Sequence, residues 1–402
     1  MPLPESMSES RLSRAVQATT LPPIPIAARW AAAYKGTNLI NLSQGVPGSP
    51  PHDLVTQRLS EVVKRSDSAG YGAILGDAAM RQALVEEIKF VYGGGQADVK
   101  FDDVALSAGC NAAFMAAVMA IVNTGDEIIL PVPWYFNHEM TLRMLGIDIV
   151  PLPVSIENGF VPTIAQTELI ITPRTKAIVL VTPNNPASAR PPNPLLPTHP
   201  AIDRSKHNIF LILDETYRDF VTPGPPHSLF TQPTWRTTLI HLFSFSKSYR
   251  VPGHRLGALV AGPDVLENVF KVLDSRPLQL ALAPILPSLR SDLADQAKEL
   301  ETRHAVFKQT LAGSGWEIGS AGAYFALVKH PFKGVRATEV CKRLAEEDGV
   351  VLLPLSFFAP ADDSAWDSWM RVSVANVGAE AVREAAVRMV ESGKRAHEWK
   401  PI

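Results

Sequence analysis

The sequence predicts an α/β protein, with a large domain on a mostly parallel seven-stranded sheet flanked by helices and a smaller α+β domain after it. Three observations carry that expectation. Seven strand-like apolar runs (VALSAG, EIILPV, DIVPLPV, AIVLVTP, IFLILD, LIHLFSF and GALVAG) lie between residues 104 and 262. Helical stretches alternate with them, and strands that alternate with helices build a parallel sheet covered on both faces. Past residue 288 the pattern changes to long helices separated by single strands.

The elements follow in chain order. Residues 1–20 are polar and rich in Pro and Ser and read as a loose arm. VALSAGCNAAFMAAVMAIV (104–122) starts as a strand, turns at Gly109 and continues into an Ala-rich helix, whose free N–H groups and positive dipole end suit a phosphate. The run ending in VTPNNP leads to Asn185. Seven of the eighteen residues 183–200 are proline, which forbids a helix there and predicts an extended surface loop. LILDETYRDF is a strand that ends in Asp214 and Tyr217. HLF and LGALVAG bracket the loop SFSKSYRVPGHRLG (244–257) as two buried strands. In the last third, DLADQAKELETRHAVFKQTLAG is a long amphipathic helix. GAYFALV is a strand, ATEVCKRLAEEDG a helix, WMRVSVANV a strand and AEAVREAAVRMVESG the closing helix.

Composition narrows the function. A 46% hydrophobic chain of 402 residues supports two domains and a large core. A net charge of −2 gives neither a basic footprint for nucleic acid nor a polybasic membrane patch. The first residues have no apolar signal-peptide core, and no run of about 20 apolar residues occurs. Cys110 and Cys341 are too few for a disulfide scaffold, and there is no metal-type Cys/His spacing. A cytoplasmic protein whose partners are small molecules and a second copy of itself is expected.

The loop 244–257 carries the most chemistry. It sets Lys247 among Ser244 and Ser246, with Arg255 eight positions on. A positioned, partly deprotonated amine attacks an aldehyde, while hydroxyls and a cation neutralise a neighbouring phosphate. Read alone, the string also fits an exposed basic loop. Asp214 alone fits a helix N-cap, Tyr217 an ordinary half-buried tyrosine, and Gly109-Cys110 a tight turn with a small core residue.

Taken together these strings resemble the class I/II aminotransferases of fold type I, which use pyridoxal phosphate. The resemblance runs from about residue 40 to about residue 390. Gly109, Tyr135, Asn185, Asp214, Tyr217, Lys247, Arg255 and Arg371 stand in the order the family requires. It implies that Lys247 binds the cofactor as an imine and shuttles the substrate Cα proton. Asp214 would hold the ring nitrogen protonated, and Tyr217 with Asn185 would face the phenolic oxygen. The phosphate would rest on backbone N–H groups of Cys110 and Asn111 after the Gly109 turn, on Ser244 and Ser246, and on Arg255. Of the three adjacent aromatics in PVPWYFNHEM, counting back from Gly146 through His138 favours Tyr135 over Trp134 as the ring that stacks on the cofactor. Arg371 would grip the substrate α-carboxylate, although an internal salt bridge is the alternative for a strand arginine. Gly45 would lie against that carboxylate, and Tyr71 would reach across a dimer to the partner's phosphate. The resemblance divides the chain into residues 1–45, an arm and part of the small domain, 46–288, the large domain, and 289–402, the rest of the small domain.

The sequence departs from the family in two places. NNPASARPPNPLLPTHP replaces the usual Thr-Gly and helix after Asn-Pro, and VLLPLSFFAP has leucine where the family tends to have glycine. Both changes leave the cofactor contacts and bear on the substrate. The expectation is transamination between an amino acid other than aspartate and a 2-oxo acid. Elimination, decarboxylation or carbon–carbon bond formation on the same scaffold is the alternative, and a non-catalytic regulator is disfavoured because no DNA-binding segment precedes residue 40.

Overall fold

The computed structural model describes residues 13–92, 95–189, 208–221, 225–269, 271 and 277–395. Residues 190–200, most of the proline-rich segment expected to be an extended loop, lie outside them. All seven predicted runs join one sheet: β2 (Val104–Ser107), β3 (Glu127–Val132), β4 (Asp148–Pro153), β5 (Thr175–Val181), β6 (Phe210–Asp214), β7 (Leu239–Ser244) and β8 (Gly257–Val260). Their order is β2-β8-β7-β6-β5-β3-β4. Every neighbouring pair is parallel except those of β8, which runs antiparallel to both β2 and β7. The sheet is buried on both faces, and strand alternation sorts its side chains. Ile128, Ile212, Ile240 and Leu242 enter one apolar cluster, while Ile129, Leu211, Leu213 and Phe243 enter the other.

The last third forms a four-stranded antiparallel sheet of β12 (Leu353–Pro354), β13 (Trp369–Ser373), β10 (Phe325–Lys329) and β9 (Glu317–Gly322). The Arg290–Leu311, Ala337–Glu347 and Ala379–Lys394 helices bury their apolar faces with it in a third cluster. Early chain reaches this region too, because β1 (Ile40–Asn41) pairs in parallel with β11 (Val350–Val351). Within the arm expected over residues 1–20, Arg14–Ala18 is a short helix in which Ser13 Oγ accepts from the Val16 N–H.

In β13, Met370 and Val372 face the third cluster. Arg371 faces the other way, level with Leu327 and Leu353 on the flanking strands. That alternation aims a guanidinium out of an apolar strand toward the edge of the large sheet.

Candidate active site

The parallel strands of the large sheet end at one edge, and the candidate residues stand there. Asn185 follows β5, Asp214 closes β6, Ser244 closes β7, Gly109 follows β2 and Tyr135 follows β3. The antiparallel β8 begins where its neighbours end, so the loop from Ser244 to Gly257 starts and finishes at the same rim with Lys247 and Arg255 on it. A cleft at this rim is lined by Cys110, Asn111, Tyr135, Asn185, Asp214, Tyr217, Ser244, Ser246, Lys247 and Arg255, ten of the predicted site residues.

One end of the cleft is built for an anion. Gly109, at φ +90°, caps the Cys110–Ile121 helix and leaves the first N–H groups facing the cleft. A Cβ on Gly109 would lie 2.2 Å from Arg255 Nη2, and one on Gly257 would lie 2.5 Å from the Gly109 carbonyl carbon. The two glycines let a guanidinium and a helix terminus converge. Arg255 meets only neutral acceptors among the described residues, Pro252 O at 2.7 Å and Ala108 O at 3.3 Å.

At the middle, Asp214 Oδ1 accepts from the Thr216 N–H at 3.0 Å and its hydroxyl at 2.7 Å. The other oxygen lies 3.3 Å from His138 Nε2. Burial alone would raise the Asp214 carboxyl, but the contacts with His138 and Thr216 outweigh it and hold the group below its ordinary value. His138 is the residue the sequence reading missed as a functional group. It stacks on Phe114 with ring centroids 4.0 Å apart, and a lone histidine on an apolar helix gives no sequence signal of such a partner. Tyr135 lines the cleft, whereas Trp134 and Phe136 are core.

Lys247 Nζ donates to the Gly45 carbonyl at 2.6 Å. Burial first, then Arg371 and Arg255, push its amine down to about 8. Tyr217 Oη accepts from Asn185 Nδ2 at 3.4 Å. Arg371 donates to Asn185 Oδ1 at 3.0 Å and to the Ser43 carbonyl. Only 2% of Arg371 is exposed, and no carboxylate among the described residues pairs with it, so the internal salt bridge is not formed. Its guanidinium lies between the rings of Phe325 and Phe358, 4.6 and 4.9 Å from their centroids. Tyr71 does not line the cleft and is 92% exposed.

The match to the family model described as aminotransferase class I and II spans residues 37–389. The chain belongs to that family. It is therefore a transferase dependent on pyridoxal phosphate, acting on amino acids and oxo acids. Among curated relatives, arginine–pyruvate transaminase AruH of Pseudomonas aeruginosa is 28% identical over 380 residues, 90% of this chain and 94% of the relative. Aspartate aminotransferase of Sulfurisphaera tokodaii is 27% identical over 387 residues, 90% and 92% of the two chains. The crystal structure of YbdL from Escherichia coli, whose reactivity identified a methionine aminotransferase function, shares the fold with a TM-score of 0.84. It is 24% identical and covers 94% of this chain and 99% of its own.

The cleft's donors fit the cofactor. An unpaired guanidinium beside a helix terminus answers a phosphate, an ionised buried carboxylate answers a ring N–H, and an amine whose charged form is disfavoured answers an aldehyde.

Proposed function

We propose that the aminotransferase reaction runs in this cleft, with Lys247 as its nucleophile and acid–base group, on an amino donor whose side chain is not an anion. Bound pyridoxal phosphate supplies the aldehyde that captures the amino group and the electron sink that lets the Cα proton leave. The chain's own groups do the rest. Arg255, Ser244, Ser246 and the N–H groups of Cys110 and Asn111 bind the phosphate. Asp214 keeps a proton on the ring nitrogen, Tyr135 stacks on the ring, and Tyr217 with Asn185 holds the phenolic oxygen. Arg371 orients the donor through its α-carboxylate, with Gly45 beside it. The Lys247 amine then takes the Cα proton and returns it.

The observation that carries this reading is Arg371. A guanidinium so deeply buried with neutral acceptors alone is costly in the free protein and is answered by a ligand carboxylate. The apolar rings of Phe325 and Phe358 on either side support a donor without a second acid group. Tyr71 supports a homodimer with shared sites: it is exposed in one chain and contributes to the phosphate end of the other. Two buried free cysteines accord with a reducing, cytoplasmic setting. The division of the chain near residues 45 and 288 is supported by the separate sheets on either side.

Three experiments test this. Borohydride reduction of the loaded protein and peptide mapping place the pyridoxyl group on Lys247, and a label on the exposed Lys271 would refute that. Single turnover across a panel of amino acids yields the pyridoxamine form with one keto acid, fastest for apolar donors. Carbon dioxide or a cleaved side chain instead would exclude transamination. Mixing Tyr71→Ala with Lys247→Ala homodimers restores activity in one site per mixed dimer, and no recovery after demonstrated subunit exchange counts against sharing.

A further inference from the structure

We propose that Glu215 is a positioning residue, which anchors the turn carrying Asp214 and Tyr217 from the opposite face of the sheet; the inference rests on the cleft roles given above. In the β6–β7 register Leu213 stands beside His241 and Asp214 beside Leu242. Glu215, two residues after Leu213, turns its side chain away from the cleft and back to the His241 side. There its Oε2 receives three groups from three separate parts of the chain. Tyr92, at the end of the Ala78–Val91 helix, donates its hydroxyl. His241 Nε2 on β7 lies at 3.0 Å and His227 Nε2 at 3.2 Å. The His227 Nδ1 accepts from the Leu229 N–H at 3.1 Å, so in the neutral ring the proton is on Nε2, which lies near the carboxylate without a hydrogen bond to it. Arg218 completes the cluster. It donates to Tyr92 Oη at 3.2 Å and lies over the Phe243 ring at 4.0 Å.

All five side chains are buried, and the reaction uses none of them. Glu215 and Arg218 alternate along the turn with Asp214 and Tyr217, and the turn is closed by Glu215 N–H to Leu242 O at 3.0 Å and Arg218 N–H to Glu215 O at 3.1 Å. A displacement of either anchor therefore displaces a cleft group. The contacts with His227 and His241 also hold the Glu215 carboxyl well below its ordinary range against the opposing effect of burial. The same Glu215, His227 and His241 atoms lie within 4.8 Å of one another, a spacing a divalent ion can use. Hydrogen bonding is favoured over a metal here, because Tyr92 and His241 already bond one oxygen, with the His227 ring beside them, and the Arg218 cation occupies the Tyr92 oxygen.

Glu215→Gln keeps the volume and turns an all-acceptor group into an amide facing Tyr92, His241 and the nearby His227 ring. With the far-UV circular dichroism retained, the expected result is a Kd of the cofactor-free protein for pyridoxal phosphate raised about tenfold, as for losing a charged hydrogen bond. The pH midpoint of the loaded protein's visible absorption moves as well. Tyr92→Phe removes one donor and gives about a threefold change in the same sense, and it decides the matter if Glu215→Gln does not fold. Reduced thermal stability with unchanged Kd and midpoint, in whichever variant folds, overturns the proposal. So does about one equivalent of zinc in the purified wild-type protein whose removal by a chelator reproduces the Glu215→Gln behaviour. Asp214→Ala is measured alongside. If it is silent, the cleft roles fail; if it responds while Glu215→Gln is silent, this inference alone fails.

Discussion

Arg218 and Arg371 are both arginines buried beside aromatic rings, yet they stand in opposite electrostatic situations. Arg218 lies 3.3 Å from Asp219 and donates to Tyr92. Burial pulls its pKa down, but Tyr92 and Asp219 outweigh that and hold it above the ordinary value. Among the described residues Arg371 finds only an amide oxygen and a backbone carbonyl, and burial lowers it to about 10. The difference teaches how to sort buried charge: one answered within the chain belongs to the fold, and one left unanswered belongs to a ligand. Lys247 is a third case, in which burial and two arginines drive the charge toward neutrality.

The comparison is broken or sharpened by substitution. Lys247→Ala should cost turnover most, about 10²–10⁴-fold, if the amine serves as the acid–base group proposed above; rapid-quench single turnover on externally loaded protein reads it. Arg218→Ala leaves the Asp219 carboxylate without its cation and should destabilise the fold by about 3–5 kcal/mol in chemical denaturation. Arg371→Met should do the reverse. The cofactor-free protein keeps or gains stability, while amino-acid binding weakens by about 2–5 kcal/mol in spectral titration. Equal losses of stability in the two arginine variants would erase the distinction.

A pH experiment tests the third case. Below about pH 8 the folded and unfolded forms both hold the Lys247 proton, so the full cost of burying the cation is present. Between about 8 and the ordinary lysine value of 10.5 the unfolded form binds more protons, and stability of the cofactor-free protein should rise with pH through that window. Lys247→Met should flatten this rise. The smallest effect expected is an upward shift in the midpoint of pH-dependent cofactor capture in Arg371→Met, since Arg371 is the larger of the two cationic contributions that lower Lys247.

Much of this was legible in the sequence because it is local. The seven sheet strands and the loop that brings Lys247 and Arg255 together are each written in one continuous string, and the Gly109 turn announces its helix. The antiparallel course of β8 was not legible, because GALVAG reads the same in either direction of pairing. His138 meets Asp214 across 76 positions and His227 meets Glu215 from a loop, and no short-range pattern encodes either contact. Cys110 was credited through its backbone alone; its buried thiol is pushed up by burial and then by Asp214, which suits a neutral neighbour. The role proposed for Tyr71 invokes a second chain, which no pattern within one sequence positions.

The glycine pair at the anion end has a consequence for how this chain can vary. A side chain at Gly257 would meet backbone atoms, the Gly109 carbonyl carbon and the Cys110 nitrogen at 2.6 Å, which no rotamer relieves. Gly109 adds a left-handed φ that penalises any other residue. Two segments far apart in sequence are thus locked to the same residue type where they meet. Drift at this end of the cleft is steered: a change at Gly257 must wait on a shift of the other segment's backbone, and one at Gly109 on a shift of Arg255 and of its own φ.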